Sequence, residues 1–281
     1  MSRIICFATA ALLLAASGAV AGTLDRVRES GVLKIGYRVD APPFSYKSSV
    51  GEPAGYTVAL CRSVAAGIKE QLKLETLTLS YVPVSAENRF KSVADGKADL
   101  LCGATTATLS RRETVDFSLP VFVDGASVLL RADGPKTFSG LEGRKVGVRA
   151  GTTTEEALRS TVKQASIAIE TIAVKDHKDG LAKLLNNEIS AYFADRGILF
   201  FLMAGSGAAD QLFLSTETFT YEPYALALQK GDGDFRLAVD RALSRLYRSG
   251  EIATIFKSAF GANAEPTAEL RALYRISALP E

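Results

Sequence analysis

Histidine occurs once in these 281 residues, at His177, and a lone histidine makes neither a metal site nor a catalytic set without partners. The H-E-x-x-H, C-x-x-C, G-x-G-x-x-G and P-loop patterns are missing, as is any serine or cysteine nucleophile with an evident base. These absences argue against a metal, nucleotide or covalent mechanism, so no cofactor is expected. Charge of one sign is lacking too. Lys plus Arg number 33 against 31 Asp plus Glu, for a formal net charge of +2, and no basic stripe or tail stands out, which speaks against nucleic acid as a partner. Beyond residue 21 no segment is apolar for long enough to cross a bilayer. No low-complexity tether interrupts the chain either.

The N-terminus supplies the one long apolar stretch. Arg3, then an Ala- and Leu-rich run to Val20, then Ala19-Val20-Ala21 as an A-x-A site, read as a secretory signal peptide over 1–21. The mature chain is therefore expected outside the cytoplasm, in the periplasm. Of three cysteines, Cys6 leaves with the leader. Cys61 and Cys102 remain, and an even count in an oxidising compartment favours a disulfide, two buried thiols being the other reading.

What remains alternates strand and helix. Residues 24–30 read as a helix and 32–37 as a strand, after which Pro42 and Pro43 are expected to forbid further ladder. Val58, Cys61, Ala65, Ile68 and Leu72 recur at helical spacing and place Cys61 on a buried stripe. A strand over 76–84, a helix over 87–95 and a strand over 98–101 follow, then a helical turn opened by a capping box at Ser110 and closed by residues 117–120. The pattern restarts with strands over 125–131, 145–149, 167–174 and 189–193, and with helices begun by Thr152 and Asp176. A strand over 221–229 mirrors 125–131, and the tail over 234–260 is helical with a break at Gly250, with a last helix over 265–274. This is an α/β pattern of mainly parallel sheets flanked by helices. If the two mirrored strands cross together, the chain forms two lobes on a double-strand hinge.

In such sheets ligands bind outside the carboxyl ends of the strands. Arg38, the segment 85–89 and the segment 104–111 each follow a strand end, so three loops converge on one crevice. Small residues from Cys102 to Ala107 let backbone reach a guest, threonines offer hydroxyls, and Arg111 can clamp a carboxylate through two parallel bonds. A solvated Ser/Thr-rich loop is the plain reading of that composition. Thr152 and Thr153 mark a helix N-terminus suited to an anion, or to plain capping. Asp195, past a strand end, suits an ammonium group or an ordinary N-cap. His177 reads as an exposed first-turn residue, or as a donor to a ligand carboxylate.

These pieces in order carry a resemblance: Gly36-Tyr37-Arg38 with Pro43-Phe44-Ser45-Tyr46, Gly55-Tyr56, Asn88-Arg89, Cys102-Gly103 with Thr105-Thr106, Ser110-Arg111-Arg112, Gly151-Thr152-Thr153, Lys175-Asp176-His177 and Asp195. The chain resembles the family 3 extracellular solute-binding proteins of amino-acid ABC importers, and within them the glutamate/aspartate-binding branch. That resemblance implies a two-lobed periplasmic-binding-protein type II (cherry-core) fold, with lobe 1 over 22–125 and 223–281 and lobe 2 over 126–222. It implies a monomer that is no enzyme and that hands an amino acid to a membrane permease. By position, Arg111 would hold the ligand α-carboxylate with Thr106 and Thr153, and Thr105 and Thr152 would flank it. Asp195 would take the α-ammonium, and Arg38, Arg89 and His177 would meet a side-chain carboxylate. Related branches also carry a cysteine in the first-lobe helix together with Cys-Gly, which favours a Cys61–Cys102 bridge. Ala86 and Ala104 stand where the branch commonly has serines, which bears on ligand identity. The rival is a periplasmic enzyme similar to the cyclohexadienyl dehydratases, which needs a general acid in the cleft; no cleft glutamate is evident from the sequence. A sensor domain is a third reading.

Overall fold

A computed structural model describes residues 22–281; the expected signal peptide lies outside the described residues. The chain starts with helix α1 (Thr23–Ser30), closed by Gly31 in the left-handed conformation at φ 65°, and enters strand β1 (Val32–Arg38). As their sequence suggests, the prolines interrupt the ladder and form a turn, here the turn of a small sheet. Short strands β2 (Asp40–Ala41), β3 (Ser45–Lys47) and β4 (Pro53–Ala54) pair antiparallel around them. Pro42 and Pro43 sit between β2 and β3, where no ladder N–H is needed. Helix α2 (Tyr56–Gln71) then buries Val58, Cys61, Ala65 and Ile68 of the stripe read from spacing, with Leu60 and Val64 beside them, while Leu72 caps the helix half-buried.

Strand β5 (Thr78–Val84), helix α3 (Arg89–Ala94) and strand β6 (Leu100–Cys102) follow, each a little shorter than or shifted from its expected span. A single 3₁₀ turn over Arg111–Glu113 leads into strand β7 (Val115–Asp124). Here the expectation of a capping box fails: Ser110 makes no cap bond, and Thr108 Oγ1 instead accepts from the Arg111 N–H at 3.2 Å. Residues 117–120 also do not close a turn but lie within β7, Pro120 included. That proline is tolerated because β7 is an edge strand and its register against its partner slips beside Pro120.

The second sheet is built from β8 (Ala126–Arg131), β9 (Lys145–Arg149), β10 (Glu170–Val174), β11 (Ala191–Asp195) and β12 (Leu212–Leu214), with helices α4 (Thr153–Ala165), α5 (His177–Leu185) and α6 (Arg196–Gly205) between them. Strand β13 (Glu222–Gln229) returns to the first sheet, and helices α7 (Gly233–Ser249), α8 (Glu251–Phe260) and α9 (Ala268–Ile276) end the chain. The orders are β5-β1-β6-β13-β7 and β10-β9-β11-β8-β12. In each sheet the first three strands are parallel and the last two pair antiparallel. The parallel character thus belongs to the βαβ half, and the antiparallel strands come from the segments that cross between sheets.

The two crossings touch. A Cβ on Gly125 would meet Thr220 O at 2.1 Å, so only glycine lets the strands pass there, and the Ala126 N–H donates to Thr220 Oγ1 at 2.9 Å. Helices α7 to α9 pack on α2 and β7. Phe235, Ala238, Val239 and Leu243 of α7 enter the same core as α2, and Tyr56 Oη meets Val121 O at 2.8 Å and Tyr274 Oη at 2.7 Å. Rings of Phe44, Tyr56, Phe122, Tyr224 and Phe260 pack edge-on, tilted or stacked with centroids 4.9–6.0 Å apart; burying each contributes about 1.5–3 kcal/mol. Cys61 on α2 and Cys102 at the end of β6 are joined in a disulfide with Cα atoms 6.3 Å apart.

Candidate ligand-binding site

Strand ends and helix starts of both sheets face one another across a closed cleft. From the first sheet, β1 ends in Arg38, the turn before α3 leads to Arg89, and the loop after β6 carries Thr105, Thr106 and Arg111. Arg89 is 2% exposed and stacks over Phe90 at 4.6 Å; the Arg111 guanidinium lies over the same ring at 4.8 Å. Phe90 thus holds two cations by its π faces. Arg111 is half-buried and donates from Nη1 to Thr106 O at 2.8 Å. Arg89 donates to Ala86 O, while its Nε has no partner among the described residues. Burial lowers the Arg89 pKa well below its usual value, and Arg38 and Arg111 lower it further. A carboxylate guest would relieve both effects.

From the second sheet, Thr152 caps α4 by accepting from the Glu155 N–H at 3.2 Å, and Glu155 reaches back to the Gly151 N–H at 2.9 Å. Thr153, one residue on, turns its hydroxyl across the cleft. Thr153 Oγ1 and Thr106 Oγ1 donate to Glu222 Oε2 at 2.6 and 2.5 Å, and Thr220 Oγ1 donates to Oε1 at 3.0 Å. Glu222, buried at the start of β13, therefore ties threonines from both sheets together. Its place shows that the cleft does hold a glutamate, contrary to the sequence reading. Three hydroxyls already donate to it, so both of its carboxylate oxygens are engaged as acceptors.

Asp195 begins α6 but makes no cap bond; its Oδ2 accepts from Tyr224 Oη at 2.6 Å and its Oδ1 is buried without a partner. Burial raises the Asp195 pKa well above the usual carboxylate range, and Glu222 and Asp124 push the same way. Asp124 is pushed up to about 6 by burial, although the N–H groups of Gly125 and Gly197 favour its charged form. An ammonium group placed against Asp195 would offset this crowding of carboxylates. Gly197 matters for the closure itself: a Cβ there would meet Asp124 Oδ2 at 2.8 Å and Phe44 Cζ at 2.9 Å.

His177 is not exposed. It is 4% accessible, and its Nδ1 lies 2.6 Å from Tyr192 Oη. Burial lowers its pKa to about 4, and Arg38 adds to the effect. A folded-state value below the unfolded one means that acidification protonates the unfolded chain first. This residue therefore costs stability as pH falls from about 6.5 towards 4. Because it is the sole histidine, its imidazole proton resonances in untagged protein offer a clean check. They should stay constant from pH 8 to 5 and titrate near 4; a midpoint at 6–7, the range of an exposed ring, would contradict this burial.

Residues 33–262 match the family of bacterial extracellular solute-binding proteins, family 3. The chain is 32% identical over 241 residues to the L-glutamate/L-aspartate-binding protein of Pseudomonas aeruginosa, covering 85% of this chain and 80% of that one. It is 27% identical over 270 residues to the glutamate/aspartate import solute-binding protein of Escherichia coli K12, covering 92% and 89%. The chain belongs to the family 3 extracellular solute-binding proteins.

Such a protein binds a solute and is not an enzyme, as the names of these relatives agree. The type II periplasmic-binding-protein fold is shared with a substrate-binding protein of an ABC uptake transporter from Streptococcus pneumoniae with bound histidine. The TM-score is 0.74 at 20% identity, over 84% of this chain and 94% of that one. Of the expected residues, Thr106 and Thr153 meet at Glu222, and Arg89, Arg111, His177 and Asp195 lie within charge range of one another through Arg38 and Glu222, whereas Thr152 spends its hydroxyl on capping and on Arg149 O at 2.6 Å. Thr105 is fully buried with its hydroxyl unpartnered. Sequence reasoning missed Asp40, Arg149, Asp124, Glu222 and Tyr224. Arg149 ends β9 as Arg38 ends β1, so the strand-end rule could have found it. Glu222 and Tyr224 sit on a strand whose pairing partner only the fold reveals.

Proposed function

We propose that this protein binds an acidic amino acid, glutamate or aspartate, between two lobes and delivers it to the membrane permease of an ABC importer. Lobe 1 would comprise 22–125 and 223–281, lobe 2 126–222, with closure about the paired crossings at Gly125 and Thr220. Export through the 1–21 leader would place it in the periplasm, where it acts as a monomer without a cofactor. The observation that carries the reading is Arg89, buried at 2% exposure beside Arg38 and Arg111 with its Nε unpartnered. Three clustered guanidiniums in a cleft call for a guest with more than one carboxylate. Arg111 with Thr106 and Thr153 would take the α-carboxylate, Asp195 the α-ammonium, and Arg38, Arg89 and His177 the side-chain carboxylate. His177 would act there as a neutral donor. The relatives named for glutamate and aspartate support the same ligand class. Ala86 and Ala104 line this region as buried residues, each without the hydroxyl that a serine would bring.

A thermal-shift panel of the common amino acids on residues 22–281 tests the proposal. Ligand at 100 times its Kd stabilises by about 2.7 kcal/mol, which at roughly 2–4 °C per kcal/mol is readily seen. Glutamate and aspartate should top the panel. A panel led by glutamine or arginine would refute the acidic assignment.

A further inference from the structure

Asp40 and Arg149 form a contact between the sheets that none of the roles above uses. Arg149 ends β9 in the second sheet and is 7% exposed, yet its guanidinium reaches the first. Its Nη2 lies 3.2 Å from Glu87 Oε1, and its Nε lies 3.7 Å from Asp40 Oδ2. At the other end, Asp40 Oδ1 lies 2.8 Å from Arg38 Nε and 2.7 Å from Arg38 Nη2. One carboxylate therefore spans two buried guanidiniums, one from each sheet. Neither Arg149 Nε nor Asp40 Oδ2 has a hydrogen-bond partner, the gap between them being too long for one. Also facing them are Glu87, on the exposed side, the hydrogen-bonded pair His177 and Tyr192, and Arg89 beside Arg38. Burial by itself raises the Asp40 pKa, but Arg38, His177 and Arg149 together outweigh it and hold the group below its usual value, so Asp40 is a full negative charge at neutral pH.

We infer that Asp40 is an internal carboxylate standing where the distal carboxylate of a ligand would stand, between Arg38 and Arg149, and that this pair sets the specificity of the site. The inference rests on the acidic-ligand reading for the placement of Arg38 at the distal end. An acidic side chain entering there must displace Asp40 from Arg38 or lie against its charge; an amide side chain meets no such repulsion. Arg149, a fourth arginine supplied by the second sheet, provides the second positive partner. Asp40 therefore restrains the preference for acidic over amide ligands, and Arg149 raises it.

Calorimetric titration of glutamate and glutamine into residues 22–281, as wild type, Asp40→Asn and Arg149→Met, tests this. Losing the contact between sheets changes the affinity for both ligands alike, so the ratio of the two Kd values isolates specificity. Asp40→Asn should move that ratio about tenfold towards glutamate and Arg149→Met about tenfold towards glutamine, the effect of one charge within 4–6 Å. Arg149→Lys, which keeps the charge, should restore most of the preference and guards against misfolding of the methionine variant. A ratio unchanged in both variants, or a shift towards glutamine in Asp40→Asn, would overturn the inference. A wild type that prefers glutamine, with Asp40→Asn turning it towards glutamate, would sink the acidic assignment and uphold this one. Binding of neither ligand by any of these proteins would overturn both.

Discussion

Arg111→Ala should abolish measurable binding of every amino acid, whichever side chain the ligand carries. Arg111 is placed to meet the one group all such ligands share, the α-carboxylate, through two charge-assisted bonds. Bonds to charged groups contribute about 1.5–3 kcal/mol each, so their loss weakens binding by roughly a hundredfold to ten-thousandfold. The fold should survive, because Arg111 is half-buried and, among the described residues, its side chain makes one hydrogen bond, from Nη1 to Thr106 O, besides lying over Phe90. An unchanged melting temperature without ligand, with titration heats gone for all ligands, is the expected pair of results. Arg38→Ala offers the contrast: it should weaken glutamate and aspartate while sparing neutral ligands. If Arg111→Ala bound ligand with unchanged affinity, its assignment as the clamp would be wrong.

Opening the Cys61–Cys102 bridge should cost about 4 kcal/mol of stability. The bridge ties α2 to the end of β6 across a sequence separation of 41. In the chain-entropy account, freeing a loop of that size costs about 4 kcal/mol. At roughly 2–4 °C per kcal/mol for a chain of this length, the melting temperature should fall on the order of 10 °C. Both cysteines are fully buried, so the paired Cys61→Ala, Cys102→Ala variant avoids burying two free thiols and is the cleaner measurement. The effect also reaches the site, because Cys102 immediately precedes the Gly103 to Thr106 loop. Ligand affinity should fall alongside stability. Identical melting curves for the wild type and the paired variant would refute the stabilising role.

The elements legible in the sequence were those with one-sided hydrophobic patterns or clear punctuation. The stripe of α2, the caps at Thr152 and Asp176 and the break at Gly250 depend on residues within a turn or two of each other, so local chemistry suffices to read them. The strand-end rule likewise found Arg38, Thr106, Arg111 and Asp195, since a strand end is a local signal. Strand β7 was misread because Pro120 looks like a terminator; its tolerance depends on an edge position and a register slip against β13, facts held by residues about a hundred positions away. The turn at Pro42 and Pro43 is as the sequence predicts, but the small sheet that flanks it, β2 with β3 and β4, is set by pairings the sequence does not show.

The sequence alone determined the α/β alternation, and it set the expectation that arginine- and threonine-bearing loops at strand ends meet at one crevice, because each is written in short-range spacing. Only the tertiary structure decided how charges are shared there. Glu222 is an acceptor for Thr106 and Thr153, Asp195 is crowded by Asp124 and Glu222, His177 is neutral, and Asp40 lies between Arg38 and Arg149. The reason is physical: burial and the distance between charges set what an ionisable group does, and neither exists until two distant segments of the chain close on each other.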